Sequence, residues 1–114
     1  MRTVSLEQCP LLPRDDGFEM RSLFGPDTKP HQAVHMGYAV FKPGMRVPAE
    51  GLTTHEGDEF SYILSGKLNC CSKSGQTQQI CANDAIYISA GEEHYSYNDG
   101  DEDCALVYMM VKTI

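Results

Sequence analysis

Apolar and polar positions alternate along much of this chain with a period of two. Between residues 59 and 64, Phe60, Tyr62 and Leu64 alternate with Glu59, Ser61 and Ile63, as in a strand with two unlike faces. Residues 18–24 alternate in the same way, with Phe18, Met20 and Phe24 on a shared face. A longer run at 34–42 is ended by Pro43-Gly44, and further runs at 67–72, 77–81, 85–89 and 105–112 complete the predicted strands. Gly75, Asn83-Asp84, Gly91 and Asp99-Gly100 mark the turns between them. No segment sustains helical periodicity, so the pattern predicts an all-β sandwich or barrel. The stretch through Pro13 reads as an irregular arm or an added edge strand.

With 114 residues, the chain is expected to form one domain over 1–114, its core at about 34–111 and an N-terminal arm with edge strands at 1–33. The 9 basic and 16 acidic residues give a formal net charge of -7, with no basic run. That balance argues against nucleic acid and against anionic membranes, both of which require clustered Lys and Arg. No stretch approaches the ~20 apolar residues of a membrane span, and the first ten residues lack the apolar centre of a signal peptide. The five cysteines are odd in number and include the adjacent pair Cys70-Cys71, a poor framework for disulfides. They read as free thiols, small buried hydrophobes in a reducing compartment, and a cytoplasmic protein is expected. Asp99, Asp101, Glu102 and Asp103 surround Gly100 without the ordered spacing of a calcium loop, and read as a solvated turn.

The candidate chemistry lies in two short patterns, His55-x3-Glu59-x6-Gly66 and Gly91-x2-His94-x3-Asn98. Two imidazoles and a carboxylate form a ligand set for a divalent first-row metal with open positions. On one strand, His55 and Glu59 would stand ~13 Å apart, too far for one ion. A turn at Glu56-Gly57-Asp58 is therefore expected to bring them together across a hairpin, with Gly57 supplying a permissive backbone. His94 would arrive from the strand pair that follows residues 85–89. Asn98 is expected to cap a turn. His31 reads as solvated, and His35, although its alternation allows it to face inward, lacks a supporting pattern. Tyr87, Tyr95, Tyr97 and Tyr108 read as packing residues, with a pocket-lining or general-acid role open to any of them. Glu50, in a Pro/Gly-rich loop, reads as exposed.

These motifs resemble those of the cupin superfamily over roughly residues 34–111. Pro43-Gly44 precedes the first motif. His55, Glu59 and Gly66 correspond to its second His, its Glu and its closing Gly, while Gly91, His94 and Asn98 match the second motif. Thr53 replaces the leading His, Asn83 stands where the second motif opens with Gly, and Ser89 stands where it has Pro. The resemblance implies a double-stranded β-helix (jelly-roll) barrel whose mouth holds a metal on His55, Glu59 and His94, with Thr53 and Ser61 lining the pocket. A hydroxyl being a weak ligand, the site resembles the 2-His-1-carboxylate arrangement, and Fe, Mn, Ni and Zn all suit it. The implied function is a metal-dependent enzyme of isomerase, lyase or dioxygenase type acting on a small polar metabolite. One alternative is a small-molecule-binding module, since 59–66 resembles the effector domains of bacterial regulators. The other is a metal-free structural barrel. Exposed strand edges give such a barrel a reason to form a homodimer.

Overall fold

In a computed structural model, residues 1–25 and 33–112 are described, and they form nine strands, all paired antiparallel. These are β1 (Glu19–Phe24), β2 (Val34–Phe41), β3 (Arg46–Val47), β4 (Asp58–Ser65) and β5 (Lys67–Ser72). They continue as β6 (Thr77–Cys81), β7 (Ala85–Ile88), β8 (His94–Tyr97) and β9 (Cys104–Val111). One sheet has the order β1-β2-β9-β4-β7 and the other β3-β8-β5-β6. The two face each other as a double-sheet jelly roll, a sandwich as the alternation predicted and of the form that the cupin resemblance implied. His31 lies outside the described residues.

Burial follows the period of two. In β4, Ser61 and Ile63 are buried while Phe60, Tyr62 and Leu64 are exposed. Between the sheets, Phe18, Ala39, Phe41, Ile63, Leu68, Cys70, Ile80, Cys104, Leu106 and Tyr108 form the core. Removing these side chains from water is the main force joining the sheets.

Several expectations are corrected in detail. A bulge between Ser22 and Phe24 shifts the β1 register, so that Phe24 lies opposite Met36 while Met20 lies opposite Ala39. The extra residue flips the alternation, and Phe24 leaves the face it was expected to share with Met20. Two strands, β3 and β8, escaped the pattern. In β8 the buried and half-buried positions include His94 and Ser96, polar residues that line a cavity, so the apolar-in rule fails there. The N-terminal arm makes a short 3-10 turn at Leu6–Gln8 and then joins β1, through a bridge from Leu11 to Arg21 and a hydrogen bond from the Leu12 N–H to the Met20 carbonyl. The five cysteines are unpaired. Cys9, Cys70 and Cys104 are buried as expected, whereas Cys71 is half-buried and Cys81 is exposed beside Asp84.

The turn positions show why these residues were selected. Asn83, standing where Gly was expected, has φ 75°, and Asn is among the few residues that tolerate this left-handed conformation. Asn98 is fully buried: its amide donates to the carbonyls of Phe41 and Glu102, both at 2.8 Å, and its side-chain oxygen accepts from the Gly100 N–H. It ties the β8–β9 turn to the end of β2. Asp99, Asp101, Glu102 and Asp103 lie exposed on that turn, and Glu50 is exposed in its loop.

Candidate metal centre

The chain reaches the centre along three routes. Glu59 projects inward from β4 of the five-stranded sheet, and His94 opens β8 of the four-stranded one. His55 lies in the connection between β3 and β4. That connection does not form the expected hairpin with β4. Instead, Thr53 exchanges two 2.9 Å backbone hydrogen bonds with His94, and the Gly91 N–H donates to the His55 carbonyl. The segment carrying His55 is thus pinned to the second sheet, and the chain then crosses at Glu56-Gly57 to begin β4. Gly57 is required for space rather than for turn conformation. It has no positive φ, and a Cβ there would meet the Val111 carbonyl oxygen at 2.7 Å.

This crossing brings His55, Glu59 and His94 together, with one donor atom from each lying within 4.8 Å of the others. His55 Nε2 stands 3.1 Å from Glu59 Oε1, and the two imidazole centroids are 5.0 Å apart. Two donors bound to one first-row ion at ~2.1 Å and at right angles stand ~3 Å apart, so the donor set fits such an ion. Partners around the cluster orient it. His94 Nδ1 lies 2.8 Å from the Glu92 carbonyl, which can only accept, so Nδ1 carries a proton and Nε2 is the ring nitrogen left for a metal. The Ser61 hydroxyl donates to Glu59 Oε2 at 2.9 Å. Burial pushes the Glu59 carboxyl up, but hydrogen bonds from His55 and Ser61 and the nearby imidazoles outweigh it, so the group is held below the ordinary value. The cluster therefore presents the deprotonated carboxylate that metal binding requires.

Around these residues lies a cavity of about 200 Å³. Thr53 and Ser61 line it, Thr53 lying directly across the bridge from His94. Phe18, Phe41, Leu106 and Met110 supply apolar wall. Tyr108 lines it too, and so does Arg14, which the sequence pattern left unmarked. For Tyr108 the strand pattern leaves packing and pocket lining both open, and Arg14 lies in the arm, where no pattern marks it. His35 turns inward but stops short of the cavity. It meets Tyr108 edge-on at 5.6 Å and hydrogen-bonds Ser22 Oγ at 3.1 Å. Tyr87, Tyr95 and Tyr97 do not line it. Tyr87 is exposed against Phe60, and Tyr95 lies under the Arg46 guanidinium at 3.9 Å.

Comparison with known proteins places this architecture. The chain is 30% identical over 95 residues to polyketide synthase CurC from Streptomyces cyaneus, a match covering 83% of this chain. The chain spans 60% of the length of CurC. Among solved structures, the polyketide cyclase RemF from Streptomyces resistomycificus is similar at TM-score 0.81 and 18% identity, over 99% of this chain and 80% of that one. A protein described as a predicted oxalate decarboxylase from Thermotoga maritima is similar at TM-score 0.80 and 24% identity, over 98% and 100% of the two chains. At these identities, the structural likenesses establish the shared fold. A sequence model of the cupin domain matches residues 37–111, which hold all three cluster residues, and the chain belongs to the cupin family.

Proposed function

We propose that this protein is a divalent-metal-dependent enzyme acting on a small oxygenated metabolite, of isomerase, lyase or dioxygenase type. The observation that carries the reading is the His55–Glu59–His94 cluster opening into a cavity with largely apolar walls. His55, Glu59 and His94 would hold the ion. Its chemistry would be that of a Lewis acid on a carbonyl, enol or carboxylate oxygen. The chain's own residues do the rest: Ser61 and the Glu92 carbonyl fix the ligands' orientation, and Phe18, Phe41, Leu106 and Met110 limit water around the reacting group. The likeness to CurC and RemF, both named for polyketide chemistry, directs the search toward enolisable ketones. Elemental analysis of the purified chain, followed by turnover assays with 1,3-diketones, tests this. Metal near one per chain together with turnover supports it; a metal-free protein rules it out.

A second reading, a non-catalytic small-molecule-binding module, is favoured by a different observation. Outside the cluster, the ionisable groups of the cavity wall are Arg14, Cys70 and Tyr108. Burial pushes the Cys70 thiol to about 11 and the Tyr108 phenol to about 12, and Arg14 is raised further by its hydrogen bond to Asp16, so all three keep their protons near neutrality. Ligand binding without turnover of any candidate would select this reading.

The chain is further proposed to pair as a homodimer in the cytoplasm. The outer face of the five-stranded sheet supports the first part, and the unpaired cysteines the second. Among the described residues, no helix is long and apolar enough to cross a membrane.

A further inference from the structure

Tyr108 is 5% exposed, and its hydroxyl is the one buried side-chain polar atom among the described residues with no hydrogen-bond partner. A phenol buried in this way ordinarily finds an acceptor, because leaving a donor unpaired costs free energy. The ring is held in place from two sides. It lies over Gly37, where any Cβ would collide with it, and His35 braces its edge. The residue also lines the cavity that contains the His/Glu/His cluster.

Arg14 enters the same cavity from the N-terminal arm. Its guanidinium is fixed by two contacts to the Asp16 carboxylate, lies over the Phe18 ring at 5.2 Å and touches Met20 Sδ at 3.5 Å. These contacts leave it donors to spare, since a guanidinium carries five. Burial and the Glu59 carboxylate hold the proton on the Tyr108 oxygen, and the Arg14 charge opposes them there.

We propose that the Tyr108 hydroxyl and the Arg14 guanidinium form a second anchoring point in the cavity, one that receives a carbonyl, enolate or phenolate oxygen on a ring-sized apolar ligand. This rests on the reading of the cavity as a ligand site, and it adds the ligand's chemical class. The phenol keeps its proton at neutral pH and so is a donor, which requires an acceptor on the ligand. The neighbouring cation favours partial or full negative charge on that acceptor. The apolar residues that line the same cavity favour a hydrocarbon body. Size sets the upper limit: an apolar cavity of ~150 Å³ takes benzene, so about 200 Å³ suits a substituted single ring.

The test uses two probes of similar shape, acetophenone and ethylbenzene, which differ in the ketone oxygen. Their affinities for the full chain as purified are measured by NMR titration, with metal content recorded separately. Tyr108→Phe is expected to weaken acetophenone about fivefold and to change ethylbenzene less than twofold. Arg14→Met is expected to act in the same direction with a smaller effect. Tyr108→Phe removes an unpartnered hydroxyl, so its melting temperature should equal or exceed that of the wild type. Equal losses for both probes, or no loss for acetophenone, would overturn the proposal, because the ketone oxygen would then be held elsewhere. Failure of both probes to bind the wild type would overturn it too. Metal content bears only on the enzymatic reading, so the two can fail independently.

Discussion

His55 and His94 carry the sharpest expectation at the scale of single residues. A three-donor centre cannot easily spare a ligand, whereas strand pairing and the core hold the fold. His55→Ala and His94→Ala should therefore each lose most of their bound metal with little change in circular dichroism. Plasma mass spectrometry against wild type checks this, and unchanged metal in either variant removes that residue from the ligand set. Thr53 gives a test of opposite sign. It faces His94 across the bridge and lines the cavity, so Thr53→His should add an imidazole and tighten metal binding. If competition with a chelator shows no change, the Thr53 side chain points away from the centre.

The expected and observed structures part at the scale of the elements. The strands were legible wherever one face met the core and the other met water, as in β4, where Ser61 and Ile63 alternate with Phe60, Tyr62 and Leu64. Strand β8 was illegible because its inward positions carry the polar residues His94 and Ser96 toward the cavity, which erases the apolar signal. The donor set was legible from spacing, but the manner of its assembly was not. Separation along the chain cannot say whether the residues between His55 and Glu59 turn back on one sheet or cross to the other. The place of Tyr108 stayed open because nothing in a local pattern distinguishes a tyrosine packed in a core from one facing a cavity, and Arg14 went unmarked because it lies in an arm without periodicity. The crossing is itself testable. Gly57→Ala forces a Cβ against the Val111 carbonyl, and such overpacking costs about 1–3 kcal/mol. A fall of that size in urea-derived stability is expected, and a neutral variant would mean that β9 can yield at its end.

On the scale of the whole molecule, the outer face of the five-stranded sheet stands out. Register aligns Met36, Met109, Phe60 and Tyr87 in one row across four strands, with Tyr38, Val107, Tyr62 and Ala85 in the next. Phe60, Tyr62, Leu64, Tyr87 and Met109 are each two-fifths or more exposed and together leave on the order of 400 Å² of apolar surface in water. A standard interface buries about 800 Å² per partner around an apolar centre. This face therefore supplies about half of that, and a second copy related by a two-fold axis offers it the same uncharged rows. The face, more than the strand edges, supports the proposed pairing. Sedimentation velocity should give a dimer for the wild type and a monomer for Phe60→Glu. A wild-type monomer at tens of micromolar would exclude pairing through this face.

Because Glu59 belongs to one sheet and His94 to the other, an ion bound by both is a cross-link between the two halves of the barrel. Separating the sheets at this end would then require releasing the ion, so occupancy and cohesion become a single equilibrium. At an ion concentration of 100 times Kd, the linkage is worth about 2.7 kcal/mol against unfolding. The added protection should appear in amide hydrogen exchange as slowing shared by β4 and β8, strands that belong to different sheets and have no hydrogen bond between them.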